Sequence, residues 1–141
     1  MNDATISPAD FGKQLGGFGI NLLVPHLAAE IKFMTDCLGF AASRVDEGFA
    51  ILRRPGMVMM LHHDRTYHGH PLINMLPETG ARGAGCELHL YDVDPDQAQA
   101  TAEAAGGACL KKAANKPHGL REAFILSPAG YLWVPSRPLS Q

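Results

Sequence analysis

The chain carries one local pattern twice. Pro55-Gly56-Met57-Val58-Met59-Met60 and Ala129-Gly130-Tyr131-Leu132-Trp133-Val134 each set a glycine-containing turn directly before an apolar run. A short apolar run bounded by turn residues reads as a strand. A unit of this size cannot cover its own apolar face, so two copies are expected to share a core.

The elements before each copy repeat in order. Residues 19–24 (GINLLV) predict a strand that Pro25 ends. Residues 27–38 place Leu27, Ile31, Met34 and Leu38 on one helical stripe, with Gly39 as the stop. Residues 40–46, 48–53 and 57–63 predict three short strands. In the second half, residues 84–91 predict a strand and residues 97–105 an alanine-rich helix, with Asp94 as cap and Pro95 inside its start. Residues 108–113, 122–126 and 131–134 complete the set. Ser127-Pro128-Ala129-Gly130 is the turn of the closing hairpin, because proline presets the second turn position and glycine accepts a positive φ. The reading is therefore α+β, two βαβββ modules, at 19–63 and 84–138, joined by a linker loop at 64–83 within one domain, 19–141. Residues 1–18 form an N-terminal arm in which Ser7-Pro8 starts a short helix; the arm is expected to be solvated or to pack on a neighbour.

Composition removes several classes of function. A net charge of −2 with no basic patch argues against nucleic acid as a partner. No apolar run approaches the length of a membrane span, and the first residues lack the basic-then-apolar order of a signal peptide. Cys37, Cys86 and Cys109 are an odd set without CxxC spacing, so buried, reduced thiols in a cytoplasmic protein are expected.

Several stretches resemble the vicinal oxygen chelate superfamily, the glyoxalase/bleomycin-resistance/dioxygenase group. VPHLAAEIKFMTDCLGF (24–40) is similar to its first strand-to-helix passage, matching at Val24, Leu27, Phe33, Leu38, Gly39 and Phe40 and departing at His26 and Met34. The closing hairpin resembles its D-P-D-G turn, with Ser127 and Ala129 in place of the two Asp residues. The resemblance implies two curved mixed sheets around a cavity, and a homodimer. Period two then sorts each strand into a side under the helix (Ile20, Leu22, Val24, Met57, Met59, Leu61, Cys86, Leu88, Leu90, Trp133) and a side toward the cavity. The expected ligand-binding set on the cavity side is Asn21, Leu23, Met60, His62, Glu87, His89, Leu132 and Val134.

The metal positions of the superfamily's enzymes fall, by that alignment, on Gly19, Met60, Gly85 and Val134. None offers an imidazole, carboxylate or amide, and a thioether is a poor ligand for hard metals. The resemblance then implies a protein without metal or other cofactor that sequesters a small molecule, an antibiotic or a metabolite, as bleomycin-resistance proteins do. The alternative is a lyase, isomerase or dioxygenase-like enzyme, with Glu87 and His89 as catalytic candidates two residues apart on one face. The histidine-rich run His62-His63-Asp64-Arg65-Thr66-Tyr67-His68-Gly69-His70 is the one place where a different metal site would be built; otherwise it is a loop whose first His enters the pocket. Arg121 is expected to pair with Glu87 or Glu122.

Overall fold

A computed structural model describes residues 5–77 and 80–140. Its elements run α1 (Pro8–Gln14), β1 (Ile20–Val24), α2 (Leu27–Leu38), β2 (Ala41–Ser43), β3 (Phe49–Arg54), β4 (Met57–His63), β5 (Glu87–Leu90), α3 (Pro95–Thr101), β6 (Ala108–Asn115), β7 (Leu120–Leu126) and β8 (Leu132–Pro138). Two four-stranded mixed sheets result, ordered β1-β4-β3-β2 and β5-β8-β7-β6. In each, the first strand pairs in parallel with the last, and the remaining pairs are antiparallel. No helix among the described residues is long and apolar enough to cross a membrane.

Local chemistry sets the boundaries. Helix α2 closes on Gly39, where the Phe40 N–H returns to the Met34 carbonyl. The Asp94 carboxylate accepts from the N–H groups of Asp96 and Gln97, so α3 begins at Pro95 rather than at Gln97. Strand β2 is shorter than expected because Arg44 takes a left-handed φ of 49° and turns the chain away. Strand β5 is shorter because residues 81–86 fold into turns, with the Cys86 N–H bonded to the Gly83 carbonyl. Cys86 lies in those turns and is exposed, and Cys109, on the edge strand β6, is exposed as well; of the three thiols only Cys37 is buried.

The two modules share one core. Leu22, Val24, Met59 and Leu61 from the first sheet and Leu90 and Trp133 from the second belong to a single buried cluster. Trp133 meets Phe40 edge-on at 5.7 Å. The α2 side chains reach across: the Cys37 thiol bonds the Ala98 carbonyl at 3.3 Å, and the Glu30 carboxylate accepts from the Ala129 N–H at 3.1 Å. The Tyr131 hydroxyl donates to the Leu23 carbonyl, closing the hairpin turn onto β1.

The closing turn uses Ser127 where an acidic side chain was the reference. Its hydroxyl accepts from the Tyr131 N–H at 3.1 Å and donates to Glu30. Gly130 is required on two counts: its φ is 91°, and a Cβ there would lie 2.5 Å from the Ala81 Cα.

Of the described arm, residues 5–18, nearly all are exposed to solvent. Helix α1, capped by Ser7, folds back onto the outward face of the first sheet, where the Arg53 guanidinium lies 5.8 Å from the Phe11 ring centroid. Within α1 only Phe11 is buried. Helices this short are marginal alone, and Phe11 is the one buried anchor of this one.

A candidate ligand cleft between the two sheets

Strands β1 and β5 are the facing edges of the two sheets, each paired on one side only. Between them lies a cavity of about 730 Å³. Its apolar walls come from Phe18, Ile20, Leu22, Met57, Leu88, Leu90 and Trp133; Asn21, Glu87, His89 and Tyr91 supply the polar groups. A mostly apolar wall with few polar groups suits a small organic ligand.

Glu87 and His89 project from the same face of β5 because strand side chains alternate. The His89 Nε2 stands 3.1 Å from the Glu87 Oε2. The carboxylate accepts, so Nε2 carries the proton. The opposite ring nitrogen, Nδ1, is closed off from solvent and has no partner. Tyr91 stacks on the imidazole at 5.5 Å, with the rings 20° apart. The pair can thus hold a hydrogen-bonding ligand group or pass a proton.

A second polar chain runs along the outward face of the first sheet. The His62 Nδ1–H donates to the Asn21 Oδ1, and the Asn21 Nδ2–H donates to the Tyr67 hydroxyl. Burial lowers the His62 pKa, which keeps the ring neutral at neutral pH. Phe49 and Tyr67 contact the His62 ring at 4.9 and 5.3 Å. Asn21 therefore borders the cleft with its amide already committed.

The histidine-rich run does not gather around a point. His63 and His70 each turn Nδ1 back to a local backbone N–H, of Arg65 and Leu72 respectively. Asp64 is held by both terminal nitrogens of Arg82 at 2.7 Å. Among the described residues no three His, Cys, Asp or Glu side chains converge as a metal site.

Of the eight expected ligand-binding residues, the cleft gathers Asn21, Glu87 and His89. Leu23 and Val134 are enclosed, at 2% and 0% exposure, and offer no open wall. Met60 lies beneath α1, Leu132 lines a small groove beside Gly83 and Leu126, and His62 sits in the Asn21–Tyr67 chain. The period-two sorting placed the cavity over one face of each strand. The cleft instead opens between strand edges, so residues expected under the helix, such as Leu22, Leu88 and Trp133, form its floor. Sequence reasoning also missed Phe18 and Tyr91. The usable signals were an aromatic residue flanked by glycines and an aromatic residue two positions beyond His89 on the same strand face. Arg121 pairs with Asp96 at 2.8 Å through two nitrogens, because the start of α3, not β5, lies beside β7.

The family model for the Glyoxalase/Bleomycin resistance protein/Dioxygenase superfamily matches residues 19–134. The chain belongs to this superfamily. Among solved structures, it is similar to a glyoxalase/bleomycin resistance protein/dioxygenase from Nocardioides, at 21% identity and a TM-score of 0.65, covering 94% of this chain and 92% of that one. A glyoxalase/bleomycin resistance protein/dioxygenase family enzyme from Burkholderia phytofirmans PsJN gives 19% identity and a TM-score of 0.70 over 86% and 97% of the two chains. TioX from Micromonospora sp. ML1 gives 21% and 0.62 over 89% and 100%. These likenesses concern the fold. No curated protein matches the sequence.

The superfamily's metal chemistry does not fit the residues present. Gly19 and Gly85 lie outside the strands and have no side chain, Met60 is under the arm, and Val134 is enclosed. No step is derived through a metal at these positions.

Proposed function

We propose that the protein binds a small organic molecule, an antibiotic or a metabolite, in the cleft between β1 and β5, without metal or other cofactor. The observation that carries this reading is the 730 Å³ cleft, largely apolar, in which the Glu87–His89 pair is the main polar feature. Sequestration then acts by mass action and breaks no bond. The exposed Phe18 and Tyr91 beside the open strand edges support a homodimer, and three thiols outside any disulfide support a cytoplasmic location.

Trp133 is the single tryptophan and lines the cleft, so it reports on occupancy. Antibiotics and metabolites are screened by melting temperature and then titrated against Trp133 emission. A true ligand raises the melting temperature and shifts the emission. Both Glu87→Gln and His89→Ala weaken it about tenfold, the order of one or two charge-assisted hydrogen bonds. Stoichiometric metal in protein purified without chelator, or no stabilisation by any compound, overturns the reading. The second reading is an enzyme in which His89 moves a proton under Glu87; the 3.1 Å contact and the unpartnered Nδ1 favour it. Turnover of a bound compound, lost in Glu87→Gln while binding persists, would select it.

A further inference from the structure

We propose that the compound held in the β1–β5 cleft carries a short extended peptide chain, whose main chain pairs with the free edge of β1 as an added strand. This rests on the reading of that cleft as a ligand site and names the class of its ligand.

The walls of the cleft are strand edges. Residues 18–22 and 86–91 line it in unbroken runs. A strand face would contribute every second residue, whereas an edge meets its neighbour with all of them. Strand β1 pairs with β4 alone and β5 with β8 alone, so each inner edge keeps main-chain N–H and C=O groups that no strand takes. Their direction shows at the end of β1. There the Leu23 carbonyl turns toward the second module and accepts from the Tyr131 hydroxyl at 2.8 Å and from Arg82 at 3.2 Å. Main-chain groups alternate sides along a strand, so the N–H and C=O of Asn21 point the same way, into the cleft.

The side chains follow the same two-sided plan. On the inner side lie Ile20, Leu22, Leu88 and Trp133, all apolar; on the outer side lie Asn21, Glu87, His89 and Tyr91. An extended chain sends successive side chains to opposite faces. A ligand strand beside β1 therefore sets alternate side chains on the apolar floor and the ones between against the polar groups, of which Glu87 is the one carboxylate. Strand β1 has five residues and its Leu23 end is closed by Tyr131, which leaves an edge that suits about three ligand residues. Main-chain pairing then supplies affinity, and the two sides supply selectivity. A compact ring without amides would cover these edge groups and leave them without partners, which weakens its binding.

The test uses the full chain and the peptide acetyl-Leu-Lys-Leu-amide, titrated against Trp133 emission, with hydrogen exchange as the second measurement. The bound peptide should slow exchange of the Asn21 amide about tenfold or more. Two analogues carry an ester in place of the amide at Lys or at the second Leu. Consecutive N–H groups of a strand point to opposite sides, so only one of the two faces β1. That ester should weaken binding about fivefold, the order of one hydrogen bond, and the other should stay within about twofold of the parent peptide. Equal binding by the two esters, or an Asn21 amide that exchanges as fast in the complex, would overturn the added strand while the cleft still binds. A compound without amides that moves Trp133 emission where the peptide does not would overturn the ligand class and leave the cleft reading standing. No response to the peptide or to any screened compound would overturn the cleft reading, and this proposal with it.

Discussion

Glu30 is a carboxylate at 1% exposure, held between α2 and the closing turn of the second module. Burial raises its pKa above the usual carboxylate range, while the bonds from the Ser127 hydroxyl and the Ala129 N–H pull the other way and lose. A raised folded pKa means that its contribution to stability is complete below the unfolded value, about 4.3, and is lost as pH rises through the folded value. Glu30→Gln keeps an acceptor for the Ala129 N–H without the buried charge. It should match the wild type in acid and be the more stable protein at pH 8, measured by urea midpoints across pH; a pH-independent difference refutes the assignment. Glu30→Ala should instead cost about 1–3 kcal/mol, because the turn's donors lose their partner. At Gly130 a side chain meets both an unfavourable φ and the Ala81 backbone. Gly130→Ala should therefore cost about 2 kcal/mol or more in the same melts.

At the scale of elements, the linker is fastened by charge. Arg82 grips Asp64 through two nitrogens at 2.7 Å and also donates to the Leu23 carbonyl, while the Arg82 and Gly83 N–H groups bond the Ala129 and Gly130 carbonyls. Arg82 hydrogen bonding holds the Asp64 pKa below its usual range. That stability is present above the unfolded value, about 3.9, and is lost as pH falls through the depressed folded value. Asp64→Asn should cost about 1–3 kcal/mol at neutral pH, discounted from a fully buried pair because both groups touch solvent, and should flatten the acid limb of the stability curve. Equal loss at pH 7 and pH 2.5 would count against the clamp. None of this was legible in the sequence. Asp64 sat in a histidine-rich run that suggested a metal, and its partner is eighteen positions away inside the same irregular stretch. Elements with a strong period were legible: α2 has the same ends in both readings, and β4 as well. The repeat announced two like modules and the family resemblance implied two mixed sheets, while the strand order within each came from the structure. The site was only half legible, because Glu87 and His89 announce themselves by spacing, whereas a cleft between strand edges draws on both faces and leaves no period to read.

At the scale of the whole molecule, the repeat suggests two bodies, yet the packing makes one. Helix α2 belongs to the first module but reaches the second: a Cβ at Gly107 would lie 2.5 Å from the Phe33 ring, and just past the helix Phe40 meets Trp133 edge-on. Phe33 is fully buried at that seam. Removing a side chain there leaves a cavity facing both sheets, so the cost falls on the shared core rather than on one half. Phe33→Ala should destabilise by about 3–5 kcal/mol. Trp133 packs against Phe40, so its emission reports the seam between the modules, and far-UV circular dichroism reports both. If the core is shared, the two signals fall together in urea, in the wild type and in Phe33→Ala alike, with one midpoint and an unchanged slope. A first-module transition that precedes the Trp133 signal would mean that the halves fold separately. The cleft between their edges would then be a hinge rather than a fixed pocket.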